Sequence, residues 1–184
     1  MLTLTHDVTS PASALAVARL DGLAEQGLPV QFRGIDVLGV DATLPVTLDV
    51  LAELERVQDR AAAAGIVLNR PSRRPSTARV HLVADLAEDV GLDRAWRTAT
   101  YRAYWRDDAD LADADVLEEL AAGIGLDRGT VATALADEAA VAAVRRRTNS
   151  ARSEGIGGVP VLVAHGTLLS PDLDDDALWE LAAT

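Results

Sequence analysis

Both ends of the chain contain short segments in which apolar and polar residues alternate, a pattern typical of half-buried β-strands. Leu2–Asp7 shows this alternation near the start, and Val30–Ile35 shows it again. Between these segments, Ser10 and Pro11 suit the N-cap and first position of a helix, and Gly27 marks its end. The order strand, helix, strand predicts a parallel pair of strands joined by a helical crossover.

The middle of the chain has helical periodicity. A helix is predicted over Leu44–Ala64, where apolar residues recur every third position, and a segment with two prolines (residues 69–76) interrupts the pattern. From Thr77 to Glu154 we expect four or five consecutive helices, with Asp113 and Asp127 as N-caps. Aromatic residues at helical spacing are expected to form the core of this region: Trp96, Tyr101, Tyr104 and Trp105.

The C-terminal end returns to strand character. The continuous apolar run Val159–Ala164 predicts a buried strand, and Gly166 predicts a turn. Leu168 and Leu169 then begin a return strand, and Asp174–Ala183 has the pattern of a short final helix. The chain therefore ends in the order strand, strand, helix.

Together these segments predict an α/β fold, β-α-β followed by β-β-α, in which one sheet is interrupted by an all-helical insertion. We expect one domain built from residues 1–43 and 155–184, which contains the sheet. Residues 44–154 are expected to form a helical connection and insertion subdomain.

The composition narrows the chemistry that the side chains can perform. The 184 residues include no cysteine, and all 17 basic residues are arginines against 29 acidic residues, which gives a net charge of −12. Such a charge repels phosphate backbones and anionic membranes, so neither nucleic acid nor a membrane is an expected partner. The three histidines are scattered, and without cysteine no metal site is expected.

Targeting signals are not evident in the sequence. The first residues lack the basic region and the apolar run of a signal peptide, and no segment approaches the ~20 apolar residues needed to cross a bilayer. We expect a cytoplasmic protein on this basis.

Two short motifs, in their order and spacing, carry a family resemblance. Residues 7–13 (DVTSPAS) lie where the first strand is predicted to end, and residues 157–160 (GGVP) precede the third strand. Together with residues 99–127, these motifs resemble the DsbA-like thioredoxin-fold proteins. That group includes disulfide oxidoreductases, 2-hydroxychromene-2-carboxylate isomerases and kappa-class glutathione transferases. The resemblance implies a thioredoxin fold in which Pro160 is cis and faces the first motif.

The resemblance also implies site residues. Ser10 and Ser13 stand where the oxidoreductases have their two sulfurs, and a hydroxyl has no disulfide chemistry, so thiol–disulfide exchange by this chain is excluded. As in the isomerases and transferases, Ser10 is expected to donate a hydrogen bond to the sulfur of glutathione or another low-molecular-weight thiol. No tightly bound cofactor is expected, and the second substrate would be a small electrophile. The resemblance thus implies Ser10 and Ser13 as the catalytic residues, and the expected thiol-binding residues are Pro11, Val159, Pro160, Ser170 and Asp172.

A second hypothesis is that the chain is a catalytically inactive relative that acts as a binding or scaffold protein. Both sulfurs are missing, and Ala12 replaces the aromatic residue common between them. On this hypothesis Ser10 is only a helix cap. His6 is a candidate general base or a structural histidine, and residues 70–74 contain arginines that could clamp an anion or form an exposed loop. Many relatives of this kind dimerise, so a homodimer is an expected assembly.

Overall fold

The central sheet is built from both ends of the chain in the computed structural model, which describes residues 1–183. β1 pairs in parallel with β2 and antiparallel with β3, so that Leu4 lies between Phe32 and Leu162. β3 pairs antiparallel with β4. Across the sheet the strands are β2 (Val30–Gly34), β1 (Leu2–His6), β3 (Val161–Ala164) and β4 (Thr167–Leu169).

Eight helices are present in the described part of the chain. The first connects β1 to β2, five consecutive helices (α3 to α7) follow the second, and the last covers the end of the chain. Within residues 1–183, none of these helices is long and apolar enough to span a bilayer. The helices are α1 (Pro11–Glu25), α2 (Leu48–Ala63), α3 (Ala78–Asp89), α4 (Asp93–Trp105), α5 (Ala114–Gly123), α6 (Arg128–Ala136), α7 (Glu138–Ser153) and α8 (Asp175–Ala183).

Aspartate side chains begin three successive helices of the insertion. Asp113 accepts a hydrogen bond from a backbone N–H of α5, and Asp127 accepts one from α6, as predicted. Asp137 follows the last residue of α6 and accepts the N–H groups of Ala139 and Ala140 in α7. These caps satisfy backbone donors that have no partner inside their own helix.

Two predicted boundaries differ from the structure. α2 begins at Leu48 and not at Leu44, because Leu44 instead exchanges backbone hydrogen bonds of 2.8 Å with Arg74 as an isolated β-bridge. β3 begins at Val161 and not at Val159, because the preceding residues form the loop that ends at Pro160.

The hydrophobic core has two main parts. One lies between the sheet, α1 and α8, and includes Leu4, Leu20 and Leu178. The other lies within the helical insertion and is formed around Trp96, Tyr104 and Trp105, each about 1% exposed. The predicted aromatic core is confirmed for these three residues. Tyr101 is half-buried and packs against both parts.

The second core also includes residues from the first motif. Val8 and Ala14 belong to the same cluster as Trp105. The indole N–H of Trp105 donates a 2.8 Å hydrogen bond to the carbonyl oxygen of Val8. The insertion therefore packs directly against the turn between β1 and α1.

Candidate functional site

The turn between β1 and α1 is held by one buried carboxylate. Asp7 accepts hydrogen bonds from the N–H of Thr9 at 3.0 Å and from the N–H of Val37 at 2.7 Å. Burial raises the pKa of the Asp7 carboxyl, and these two backbone donors act in the opposite direction. The carboxylate thus fixes the turn against the loop that follows β2.

Ser10 is the N-cap of α1. Its backbone is extended, and its Oγ accepts the N–H of Ser13 at 3.1 Å, which is the ordinary geometry of a helix cap. The hydroxyl also lies 3.5 Å from the carbonyl oxygen of Val159, to which it donates. The next peptide bond, Val159–Pro160, is cis. The fold therefore brings the two sequence motifs together, with only 6% of Ser10 exposed.

Ser13 and Pro11 are enclosed by the protein. Ser13 has no exposed surface, and its Oγ accepts the backbone N–H of Asp7 at 3.4 Å. Its hydroxyl also interacts with that of Tyr101. Pro11 occupies the first turn of α1, where its missing N–H costs nothing. Of the two serines in the motif, Ser10 is the one beside the proline loop.

A groove of about 300 Å³ lies beside Pro160. Four of the residues that line it are charged, Glu53, Arg56, Arg60 and Asp172. Burial raises the pKa of the Glu53 carboxyl. The residues that line the groove are Ala12, Leu15, Ala16, Glu53, Arg56, Val57, Arg60, Pro160, Pro171 and Asp172.

The two predicted residues after β4 differ in position. Asp172 lines the groove, and its Oδ1 forms an ion pair with the guanidinium of Arg60 at 2.7 Å. Ser170 is exposed, is not among the lining residues, and accepts the N–H of Asp172 at 3.1 Å. Ser170 therefore orients the loop that carries Asp172.

The charged residues of α2 were not predicted from the sequence as part of a site. Glu53, Arg56 and Arg60 are spaced by three and four residues, which places them on one face of the helix. That spacing is the sequence pattern from which a charged helix face could have been predicted. It could not show that this face is turned toward Pro160, because that depends on the packing of α2 against α1.

The three loop arginines do not gather into a clamp. Arg70 is exposed, and Arg73 forms a 2.6 Å ion pair with Asp110. Arg74 is half-buried, and its Nε lies 3.5 Å from the hydroxyl of Thr9. Arg74 therefore places positive charge at the turn.

His6 faces away from the groove. Its Nδ1 lies 3.0 Å from the hydroxyl of Tyr101, and its ring is 5.8 Å from that of His81. Burial lowers the pKa of His6 well below 6.5, so the imidazole is neutral. His6 lines a separate interior cavity and not the groove beside Pro160. Across residues 1–183 no three histidine or carboxylate side chains are gathered as a metal site would require.

The sheet order, the cap at the start of α1 and the proline loop beside it define a thioredoxin-fold protein with a helical insertion. The family model of the DSBA-like thioredoxin domain matches residues 2–180, and the chain belongs to this family. The predicted fold and family resemblance are both confirmed.

Solved structures with the same fold include oxidoreductases and an isomerase. A "probable DsbA oxidoreductase" from Streptomyces coelicolor is 24% identical with a TM-score of 0.82, over 99% of this chain and 88% of that one. A 2-hydroxychromene-2-carboxylate isomerase is 22% identical with a TM-score of 0.76, over 91% and 87%. The cytosolic disulfide reductase DsbM from Pseudomonas aeruginosa, solved with GSH, is 21% identical with a TM-score of 0.71, over 99% and 95%. No curated protein sequence matches the chain.

Proposed function

We propose that this protein is an isomerase or transferase that uses glutathione or another low-molecular-weight thiol to act on a small electrophile. The observation that carries the proposal is the position of the Ser10 hydroxyl. It lies at the N-terminus of α1, 3.5 Å from the carbonyl of Val159 and next to the loop of Pro160. Among proteins of this fold, one is a 2-hydroxychromene-2-carboxylate isomerase and another was solved with GSH.

The chain lacks cysteine, so the reactive sulfur must come from the bound thiol. Ser10 would donate its hydroxyl proton to that sulfur in place of its long contact with Val159. The positive end of the α1 dipole favours an anion at the same position. A charge-assisted hydrogen bond is worth roughly 1.5–3 kcal/mol, which corresponds to a lowering of the thiol pKa by about one to two units.

The groove offers partners for the rest of such a thiol. Arg56 and Arg60 can pair with carboxylates, and Asp172 and Glu53 can pair with an ammonium group. The backbone of Val159 would pair with the peptide portion, and Pro160, which lines the groove, would contact the sulfur on an apolar side. Pro11 is enclosed and would act only by starting α1. Asp172 must exchange its present ion pair with Arg60 for the ligand.

We propose that the protein acts in the cytoplasm, because low-molecular-weight thiols are kept reduced there. The thiol acts as a dissociable substrate and not as a tightly bound cofactor. Neither nucleic acid nor a membrane is proposed as a partner, and a homodimer is proposed from the family resemblance alone.

Thiol binding is tested by thermal unfolding with millimolar glutathione, a mycothiol-type thiol and a bacillithiol-type thiol. A ligand at 100 times its Kd stabilises the folded state by about 2.7 kcal/mol and raises the melting temperature accordingly. We expect a saturable rise for at least one thiol. No shift with any of the three would overturn the proposal.

Substitutions at Ser10 separate sulfur contact from helix capping. Aspartate caps helices as well as serine does but cannot donate to the carbonyl of Val159, so S10D should lower the free energy of unfolding by about 1–3 kcal/mol and still fold. Its carboxylate repels a thiolate, so the thiol-induced shift should disappear. D127A provides the control, because it removes the cap of α6 and costs about 1 kcal/mol without touching the groove. D127A should retain the thiol-induced shift.

The alternative function, a non-catalytic binding or scaffold protein, is favoured by a different observation. The Ser10 hydroxyl already has an internal acceptor and an internal donor, and Ser13 has no exposed surface. On this alternative, S10D and the wild type would behave identically with every thiol. Turnover of a small electrophile with the added thiol would contradict it.

A further inference from the structure

An apolar groove lies between α1, α4 and residues 65–68, the segment that follows α2. Its volume is about 290 Å³. These positions of α1 lie on the helix face opposite to the α1 positions that line the groove beside Pro160: Ala14, Val17, Ala18 and Asp21. The proposed function therefore uses neither this face of α1 nor the groove between α1 and α4.

The wall of this groove has carbon atoms that are open to solvent and that a ligand can reach. Val67 is 51% exposed, Ala18 is exposed, and Ile66 and Tyr101 are half-buried. Concave apolar surface at the contact between two parts of a fold is typical of small-molecule sites. An apolar group that covers this surface removes it from water, which is favourable.

Two guanidinium groups at one end of the groove are held only loosely. Arg102 lies in the last turn of α4, and Arg106 is the residue that caps this helix. Both side chains are exposed, and both residues line the groove. Within residues 1–183 their ion pairs are with the same carboxylate, that of Asp107, and each is 3.8 Å long. A charge-assisted hydrogen bond is much shorter, so both guanidinium groups can accept a closer anion.

The charge at this end of the groove is positive. Three arginines line the groove against one aspartate, Asp21. The Asp21 carboxylate is 2.7 Å from the guanidinium of Arg97, which compensates its charge. Arg97 also pairs with Asp93, but Asp93 begins α4 and lies about 20 Å from Arg106 at 1.5 Å per residue. An anion is therefore favoured locally, although the net charge of the chain is −12.

We propose that the groove between α1 and α4 binds a small amphipathic anion, a medium-chain aliphatic carboxylate. Its hydrocarbon chain covers Ala18 and residues 66–67. Its carboxylate accepts hydrogen bonds from the guanidinium groups of Arg102 and Arg106, which give up their long contacts with Asp107.

The size and position of the groove define the site further. A volume of about 290 Å³ is at the lower limit of small-molecule pockets, so the hydrocarbon chain is short. Neither Ser10 nor Pro160 lines this groove. Binding of the carboxylate is therefore independent of the thiol site.

The test is a titration followed by ¹H–¹⁵N NMR, with sodium octanoate as the probe. We expect saturable shifts that are confined to the amides of residues 65–68, of α4 and of the facing turns of α1. Sodium hexanoate should bind about tenfold more weakly, because each fully buried methylene contributes about fourfold in affinity. Octylammonium chloride has the same chain with the opposite charge and should bind at least about tenfold more weakly than octanoate. Absence of saturable shifts, or equal affinity of octanoate with either of the other two probes, would overturn the proposal.

Substitutions at exposed valines test the position of the hydrocarbon chain. V67D places a carboxylate in the wall of the groove and should weaken octanoate binding at least about tenfold. V90D is the matched control, because Val90 is 61% exposed and does not line the groove, and it should leave the affinity unchanged. An equal effect of the two variants would show that octanoate binds elsewhere.

Substitutions on α4 test the two arginines. R102Q and R106Q should each weaken octanoate binding about two- to fivefold, whereas R94Q, on the same helix but outside the groove, should leave it unchanged. If these arginines only complement the C-terminal dipole of α4, R102Q would bind octanoate like the wild type, and that result would overturn the proposal. S10D should bind octanoate like the wild type, so failure of this proposal is distinguishable from failure of the thiol proposal.

Discussion

Arg97 is a largely buried cation that is paired with two carboxylates. It is 8% exposed and donates to Asp21 at 2.7 Å and to Asp93 at 2.6 Å. It also lines two cavities, one that contains His6 and His81 in its wall (the histidine cavity) and the apolar groove between α1 and α4. Its partner Asp21 is equally buried, so neither charge can be removed alone without leaving the other in a poorly hydrated position.

We predict that R97M lowers the free energy of unfolding by about 3–5 kcal/mol, because it leaves the Asp21 carboxylate buried and unpaired. Urea unfolding measures the change. The double variant D21N/R97M should lose less than the sum of the two single variants. R94M is the control, because Arg94 forms an exposed ion pair with Glu25 and its loss should cost less than ~1 kcal/mol. Equal losses for R97M and R94M would contradict the prediction.

His81 should make stability depend on pH. Burial, followed by the charge of Arg147, lowers its pKa from 6.5 to about 4, and Asp36 and Asp85 act in the opposite direction. Between these values the unfolded chain binds more protons than the folded one. The free energy of unfolding should therefore fall as pH is lowered from 6.5 to 4, by up to ~1.4 kcal/mol per pH unit for this group.

Urea unfolding at pH 7, 6 and 5 measures this slope. H81L should flatten it, although His6 contributes in the same direction because its pKa is also lowered. H165N is the matched control, because it also removes one histidine, at an exposed position, and leaves His81 in place. A slope that is the same in the wild type and in H81L would show that His81 does not titrate as described.

Individual residues of the first motif were predictable, whereas those of the histidine cavity were not. Ser10 and Pro11 form a local signal, because a cap and a first-turn proline act within one helix turn. His6 and His81 are 75 positions apart along the chain and carry no mutual pattern in the sequence. Their proximity arises from the packing of α3 against the sheet, which local periodicity does not encode.

At the scale of the helices, the first turn of α1 carries serines at the two positions where the oxidoreductases of this family have their reactive cysteines. These serines cannot perform thiol–disulfide exchange. The backbone N–H of Ser13 donates to Ser10 Oγ at 3.1 Å, so both residues lie in the first turn at the same helix end. We predict that S10C/S13C forms an intramolecular disulfide on oxidation and gains exchange activity with a small disulfide reporter. Mass spectrometry and thiol titration detect the bond.

The single variant S10C is the control for this pair, since it can form only disulfides with other molecules. If the two thiols of S10C/S13C remain free under oxidising conditions, the turn is not shaped as described. The result does not depend on the natural function, because it tests only the geometry of the helix end.

The helices of the insertion were largely predictable and their ends were less so. The aspartate caps of α5 and α6 are local signals and were predicted correctly. The start of α2 was misplaced by four residues, because Leu44 pairs with Arg74 across a loop and is thereby drawn out of the helix. A bridge between residues 30 positions apart is invisible to a helical pattern. The charged face of α2 was missed for a similar reason.

At the scale of the whole molecule, the order of strands and helices followed from the sequence, and the division into two subdomains stays a prediction. One core contains residues of the motif turn together with aromatic residues of α4. Such a shared core favours unfolding of both parts in one transition.

We predict that hydrogen exchange under increasing urea shows a single global unfolding reaction. Amides of β1 and β3 should lose protection together with those of α3 and α4, because Trp105 and Val8 join the two parts. Mass spectrometry of peptides measures the protection. Loss of protection in α3 and α4 at a clearly lower urea concentration would show that the insertion unfolds alone.

W105F should weaken this coupling. The substitution removes the donor to the carbonyl of Val8 and leaves that buried oxygen without its 2.8 Å partner, at a cost of about 1–3 kcal/mol. W179F is the control, because Trp179 lies in α8 and is 37% exposed. An equal effect of the two substitutions would argue against a special role for the contact with Val8.

The close approach of β2 to α3 restricts how this sequence can vary. A Cβ atom added at Gly34 would lie 1.9 Å from Nδ1 of His81 and 2.5 Å from its Cε1, so no larger residue fits there while the imidazole is present. The two positions should therefore change in a fixed order, with residue 81 becoming smaller before residue 34 can gain a side chain. In relatives that have lost the histidine, the glycine is free to be replaced. The residues at positions 34 and 81 therefore indicate whether a relative retains the cavity.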